Sequence, residues 1–254
     1  MGSEYIPPIR LAILEADTPV PGIQSKFGSY GGVFEYLFAR GCKSFKPPVP
    51  LSAVLKLSYH DVVHDPTSYP DLNTIDAILI SGSKHNAFDQ DPWILELVKY
   101  TRKCLDSGRV RVIGVCFGHQ IVGLAMGTPV GTNLRGWELS VVEHNLTEEG
   151  KKFFGLEKLS IHQMHRDIVH KLPPGVIALA STDICPVQAM YAPRRLITVQ
   201  GHPEFTKDMV GEILQRRYDG GILSPDIYKD GMRRVGNEHD GVAVARAFIR
   251  FLRE

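Results

Sequence analysis

Short apolar runs bounded by turn residues alternate, in the first half of the chain, with longer stretches whose apolar residues recur at helical spacing. The runs Ile9 to Leu14, Val54 to Val63, Asp76 to Ser81 and Val110 to Val115 predict strands. Between them, Val33, Phe34, Leu37 and Phe38 predict a helix over Tyr30 to Ala39 with Gly41 as its stop. Ile94, Leu97, Val98, Thr101, Cys104 and Leu105 predict another over Pro92 to Leu105, ended by Gly108. Alternation of this kind calls for a parallel sheet covered on both faces. The turn-rich loop Glu15 to Gly22 then falls at the carboxyl edge of the first strand, where open α/β sheets bind ligands. Pro47-Pro48-Val49-Pro50 reads as a stiff connector and not as a domain boundary.

The pattern changes after residue 128. Val130, Leu139, Val141 and Val142 within Thr128 to Leu146 suggest antiparallel strands. Val176 to Ser181, Val187 to Tyr191 and Leu196 to Val199 read as further strands, and Phe205 to Tyr218 as a helix with Met209, Ile213 and Leu214 on one side. A tail punctuated by Gly221, Pro225, Gly231 and Gly236 leads to a last helix, whose stripe Val244, Phe248, Phe251 and Leu252 reads as core packing. The expected fold class is α/β: three layers, a mostly parallel sheet with helices on both faces, and a small antiparallel extension. Residues 1–254 are expected to form one domain with 220–254 as a C-terminal helical extension, and no repeat interrupts it.

Composition narrows the function. A chain of 254 residues with 43% hydrophobic content can bury one large core. Twenty-nine basic against 28 acidic residues leave no electrostatic footprint for nucleic acid. No apolar run reaches the roughly 18 residues of a membrane span. The start, Met1 to Ile6, lacks the basic region of a signal peptide, and Ile6 stands where a myristoylation signal has Ser or Thr. Cys42, Cys104, Cys116 and Cys185 show no metal-like pairing, so a reducing, cytoplasmic setting is expected. The sequon at Asn145 is read as chance.

Chemistry concentrates at Gly114-Val115-Cys116-Phe117-Gly118, which closes a strand and opens a helical run with Ile121, Val122, Ala125 and Met126. This is the strand, turn, helix pattern of a nucleophile elbow in a G-x-C-x-G version. A thiol at a helix N-terminus is biased toward thiolate; the competing reading is a buried core cysteine beside two turn glycines. Further on, Gly201-His202-Pro203-Glu204 follows a strand, and i, i+2 spacing points His202 and Glu204 the same way. Glu204 can then hold one tautomer of His202, leaving the other nitrogen to take a proton from Cys116.

With these two motifs the chain resembles the class I (triad) glutamine amidotransferases over about residues 9 to 219. Ile80-Ser81-Gly82-Ser83, the acidic loop after it and Trp93-Ile94 resemble the stand-alone branch that includes plant γ-glutamyl peptidases and fungal amidotransferase-like proteins. The resemblance implies a flavodoxin-like fold, catalysis by Cys116, His202 and Glu204, and an oxyanion hole from backbone N–H groups of Phe117 and of Gly82 or Ser83. It also implies substrate contacts from Gln120 and from His165, Arg166 and Asp167, where a His-Gly-Asp loop is usual. Arg166 departs from that pattern and offers a planar fork for an extra carboxylate on the substrate. Trp137 is read as structural. His162, His165 and His170 do not share a face, so no metal is expected, and the chemistry requires no cofactor.

The expected activity is therefore cysteine-dependent hydrolysis of γ-glutamyl amide bonds in peptides or glutathione conjugates, through a γ-glutamyl thioester. The expected partner is a small-molecule γ-glutamyl substrate, with neither nucleic acid nor membrane. One alternative is a glutaminase subunit feeding ammonia to a separate synthetase, since the chain has no P-loop. The other is a catalytically silent regulator.

Overall fold

A computed structural model describes residues 7–254, so the N-terminal readings on Met1 to Ile6 lie outside the described residues. In chain order the strands and helices are β1 (Ile9–Glu15), α1 (Pro21–Phe27), α2 (Tyr30–Lys43), β2 (Leu55–Asp61), β3 (Ala77–Ile80), α3 (Pro92–Asp106), β4 (Arg111–Val115), α4 (Phe117–Ala125), β5 (Val130–Thr132) and β6 (Glu138–Leu146). There follow α5 (Glu148–Phe154), β7 (Lys158–His165), β8 (Asp167–Val169), β9 (Ile177–Ser181), β10 (Ala189–Ala192), β11 (Leu196–Val199), α6 (Lys207–Asp219), α7 (Pro225–Arg234) and α8 (Gly241–Leu252).

The main sheet runs in the order β2-β1-β3-β4-β11-β10-β9-β6-β7. Pairing is parallel from β2 through β11 and antiparallel beyond it. The antiparallel part is thus a continuation of the same sheet, four strands wide, with β5 and β8 forming a separate antiparallel pair.

The short strands are buried on both faces, and their side chains divide by the two-residue period. Leu11, Ile13, Leu79, Ile113 and Val115 pack on the side of α2 and α8, against Phe34, Phe38, Phe248 and Phe251. Ala12, Leu14, Ile78, Ile80 and Val112 face Ile94, Leu97, Ile121 and Val122 of α3 and α4. This makes a three-layer α/β protein with helices on both faces of a largely parallel sheet.

Three features differ from expectation. Helix α2 continues through Gly41, because the missing side chain admits α8: a Cβ there would lie 2.9 Å from that of Ala245. The presumed loop at Gly22 contains α1, opened by Pro21 in the first turn, where a missing N–H costs nothing. Helices α5 and α7 also escaped the pattern; both are short, and both start from capping side chains, Thr147 and Ser224.

Candidate active site

Four neighbouring parallel strands, β1, β3, β4 and β11, end on one edge of the sheet, where the strand order reverses. Their loops carry Asp17, Gly82, Cys116 and His202 in the same sequence across the edge. The Ser81 hydroxyl ties two of these loops, accepting from Ala16 N–H at 2.9 Å and donating to Gly82 O at 2.9 Å. Asp17 ties them again by accepting the Lys84 backbone N–H at 2.8 Å and pairing with its ammonium at 3.0 Å.

Cys116 is the residue between β4 and α4, with φ 52° and ψ −103°. A non-glycine residue in that region carries strain of order 1–3 kcal/mol, held by the surrounding packing. Its backbone N–H donates to Val199 O at 2.9 Å, and its carbonyl accepts Gln120 N–H at 3.1 Å. The turn fits only because Gly118 lacks a side chain: a Cβ there would meet Ile80 O at 2.3 Å. The thiol therefore stands at the N-terminus of a nine-residue helix, where the dipole favours negative charge.

His202 follows β11 and is buried, its ring stacked on Phe205 with centroids 4.0 Å apart. Its backbone N–H donates to His162 O at 2.7 Å, and its Nδ1 lies 2.7 Å from Glu204 Oε1. Glu204 is itself 1% exposed, so the pair is shielded from water. Burial opposes a charged ring, but the charges of Cys116 and Glu204 outweigh it and push His202 up to about 10. Gly82 sits against both partners: a Cβ there would lie 2.7 Å from His202 Cε1 and 3.7 Å from Cys116 Cβ. Gly82 thus touches both the His202 ring and the Cys116 side chain, and the ring in turn meets the Glu204 carboxylate.

Phe117, Gly82 and Ser83 border the same point. Their backbone N–H groups have no backbone acceptor among the described residues. The cleft has two lobes that share Ser83, Lys84, Met164, Arg217 and Ile222. Cys116, Gln120, Asp167 and Arg166 line the first, of about 210 Å³. His202, Tyr30, Phe205 and Ile213 line the second, of about 340 Å³.

The expected contact residues arrive here in different states. Gln120 is buried and donates to Asp167 O at 2.9 Å and Gln200 Oε1 at 3.2 Å. His165 Nε2 lies 3.1 Å from buried Glu138, and Asp167 accepts the Thr132 hydroxyl at 2.8 Å. These three shape the wall from within. Arg166 is exposed, its guanidinium over the Trp137 ring at 5.6 Å from Cζ to centroid. Trp137, expected to be structural, also lines the first lobe. Asp17 lies on the loop expected at the ligand edge, whereas Tyr30 and Arg217 carry no local motif and were missed; only packing brings these two to the cleft. Among the described residues no three side chains are grouped to hold a metal ion, all four cysteines are unpaired, and no helix is long and apolar enough to cross a membrane.

Comparison with known proteins places this geometry. The class I glutamine amidotransferase profile matches residues 51–218. A glutamine amidotransferase-like protein of Schizosaccharomyces pombe is 36% identical over 96% of this chain and 99% of its own. γ-Glutamyl peptidase 5 of Arabidopsis thaliana is 30% identical over 85% and 84%. In structure, a glutamine amidotransferase of Thermotoga maritima superposes with a TM-score of 0.70 over 97% of this chain and 99% of that one, at 14% identity, a likeness of fold. The chain belongs to the class I glutamine amidotransferase family.

Proposed function

We propose that this chain is a cysteine-dependent hydrolase of γ-glutamyl amide bonds. The observation that carries the reading is the buried Glu204–His202 pair beside Cys116, which itself sits strained at a helix N-terminus. Family membership and the similarity to a γ-glutamyl peptidase support an amidohydrolase. The thiolate attacks the side-chain carbonyl of a γ-glutamyl group lying in the first lobe. N–H groups of Phe117 and of Gly82 or Ser83 receive the oxyanion, and being fixed before reaction they stabilise it without reorganisation. His202 protonates the departing nitrogen, the γ-glutamyl thioester remains, and water activated by the same ring releases glutamate.

Gln120, His165 and Asp167 hold the wall of the glutamyl lobe. Arg166 lines that lobe and not the other, so we assign it the substrate's own α-carboxylate in place of the distal acid anticipated from sequence. The reaction draws on no cofactor, and four unpaired buried cysteines suit a reducing compartment such as the cytoplasm.

The test is incubation with glutamine, glutathione and a glutathione conjugate, with products read by mass. Glutamate together with an intact amino acid or peptide is the expected outcome. Ammonia from glutamine alone would point to a glutaminase subunit in need of a synthetase, and no product from any of the three to a silent regulator.

A further inference from the structure

The junction of the two lobes holds a half-buried guanidinium that no carboxylate among the described residues takes up. Arg217, on α6, reaches the junction of the two lobes with its Cζ 5.0 Å from the Trp137 ring centroid. Cys116, then Tyr30, Asp17 and Asp167 act on it through charge and not through hydrogen bonds. Asp17 is spent on Lys84 and the Thr18 N–H, Asp167 on the Thr132 hydroxyl. A planar fork set over an aromatic ring and lining a cavity is suited to receive a carboxylate.

Which carboxylate follows from the direction of proton transfer. As the bond from Cys116 Sγ to the side-chain carbonyl carbon forms and the amide C–N bond breaks, the departing nitrogen takes the proton carried by His202. Water then cleaves the thioester, giving glutamate and returning a proton to His202. His202 opens into the second lobe and Cys116 into the first, so the departing amine stands in the second. That space is about 340 Å³, whereas one water-sized molecule needs only roughly 10–15 Å³ of it, so ammonia would occupy a small part. Its walls include apolar Val20, Tyr30, Phe205, Ile213 and Ile222. Of these, Val20, Tyr30 and Ile222 lie outside the segment 51–218 that the family profile matches, which makes this lobe more particular to the chain than the elbow.

Resting on the hydrolase reading above, we infer that the second lobe binds the departing amine as an amino acid with an apolar side chain, and that Arg217 determines specificity by holding its carboxylate.

The experiment compares γ-glutamyl-phenylalanine with γ-glutamyl-phenylalanine amide, which differ in that one charge, on the full chain and on Arg217→Gln and Arg217→Lys. A hydrogen-bonded charge pair of this type corresponds to about a 10- to 100-fold preference in kcat/KM for the free acid. The ratio is expected to fall close to one in Arg217→Gln and to recover in part in Arg217→Lys; general damage to the site lowers both substrates and leaves the ratio alone. A parent ratio near one, or a ratio unchanged by Arg217→Gln, overturns the assignment while leaving the hydrolase reading standing. If neither substrate releases glutamate, the hydrolase reading fails, and calorimetric binding to the Cys116→Ala protein judges Arg217 by itself. There, added Arg217→Gln is expected to weaken binding of the free acid 10-fold or more and not that of the amide, and equal weakening of both refutes the inference.

Discussion

Cys116 and His202 are each bound by a constraint that a single atom can break. Gly82 is the sharpest case, since a Cβ there would press on His202 Cε1 at 2.7 Å and must displace the ring. Gly82→Ala is therefore expected to lower turnover at least 10-fold while circular dichroism and melting stay close to the parent; unchanged turnover would show that the ring has room to spare. Glu204→Gln keeps the shape of its partner but loses the charge and the tautomer control. A fall of about 10²- to 10⁴-fold in kcat is expected, with KM little moved. The same logic reaches the protonation of His202. Its pKa near 10 is held up by Cys116 and Glu204, so nuclear magnetic resonance titration of Cys116→Ala should find a lower value, and an unmoved one would mean the two do not interact. The triad candidates were legible because each motif is local, a few residues around a turn. Arg217 and Tyr30 were not, because they meet the site only after distant helices have packed.

At the scale of elements, the pattern of apolar residues located the sheet well. Leu196 to Val199 is a strand over those same residues, and the helix from Pro92 ends one residue past its expected limit. The failures have separate physical causes. Gly41 was taken for a stop because glycine commonly ends helices, yet here it serves the crossing of α2 and α8. Glycine-to-large substitutions at such contacts overpack the core, so Gly41→Leu is expected to destabilise the protein by about 1–3 kcal/mol or more in denaturant unfolding. A gain of roughly 0.5–1 kcal/mol, as when leucine replaces glycine in an exposed helix, would contradict the packing role. Helices α5 and α7 were hidden because their seven and ten residues bury few side chains and owe their starts to caps.

At the scale of the whole molecule, α8 from the C-terminal tail packs into the same core as β1 and α2. We propose that 220–254 is an integral extension of a single domain, and a single cooperative unfolding transition is the expected signature. Acid should weaken that domain through its buried histidines. His119 and His162 are fully buried and held down to about 3, by burial first and then by neighbouring histidines. Their folded pKa is depressed, so the stability they contribute is complete above the unfolded value of about 6.5 and is lost as pH falls toward 3. Each steepens the loss by about 1.4 kcal/mol per pH unit in that window. His162→Leu should flatten the slope between pH 6 and pH 4, and a slope equal to the parent's would contradict the assignment.

The account depends most on sulfur chemistry at one position. The direct test is glutamate release from a γ-glutamyl peptide by the parent and by Cys116→Ala, purified alongside each other and matched in melting temperature. Hydrolysis by the parent and a loss of about 10⁴-fold or more in the variant are predicted. Equal rates in the two proteins would contradict the account at its centre.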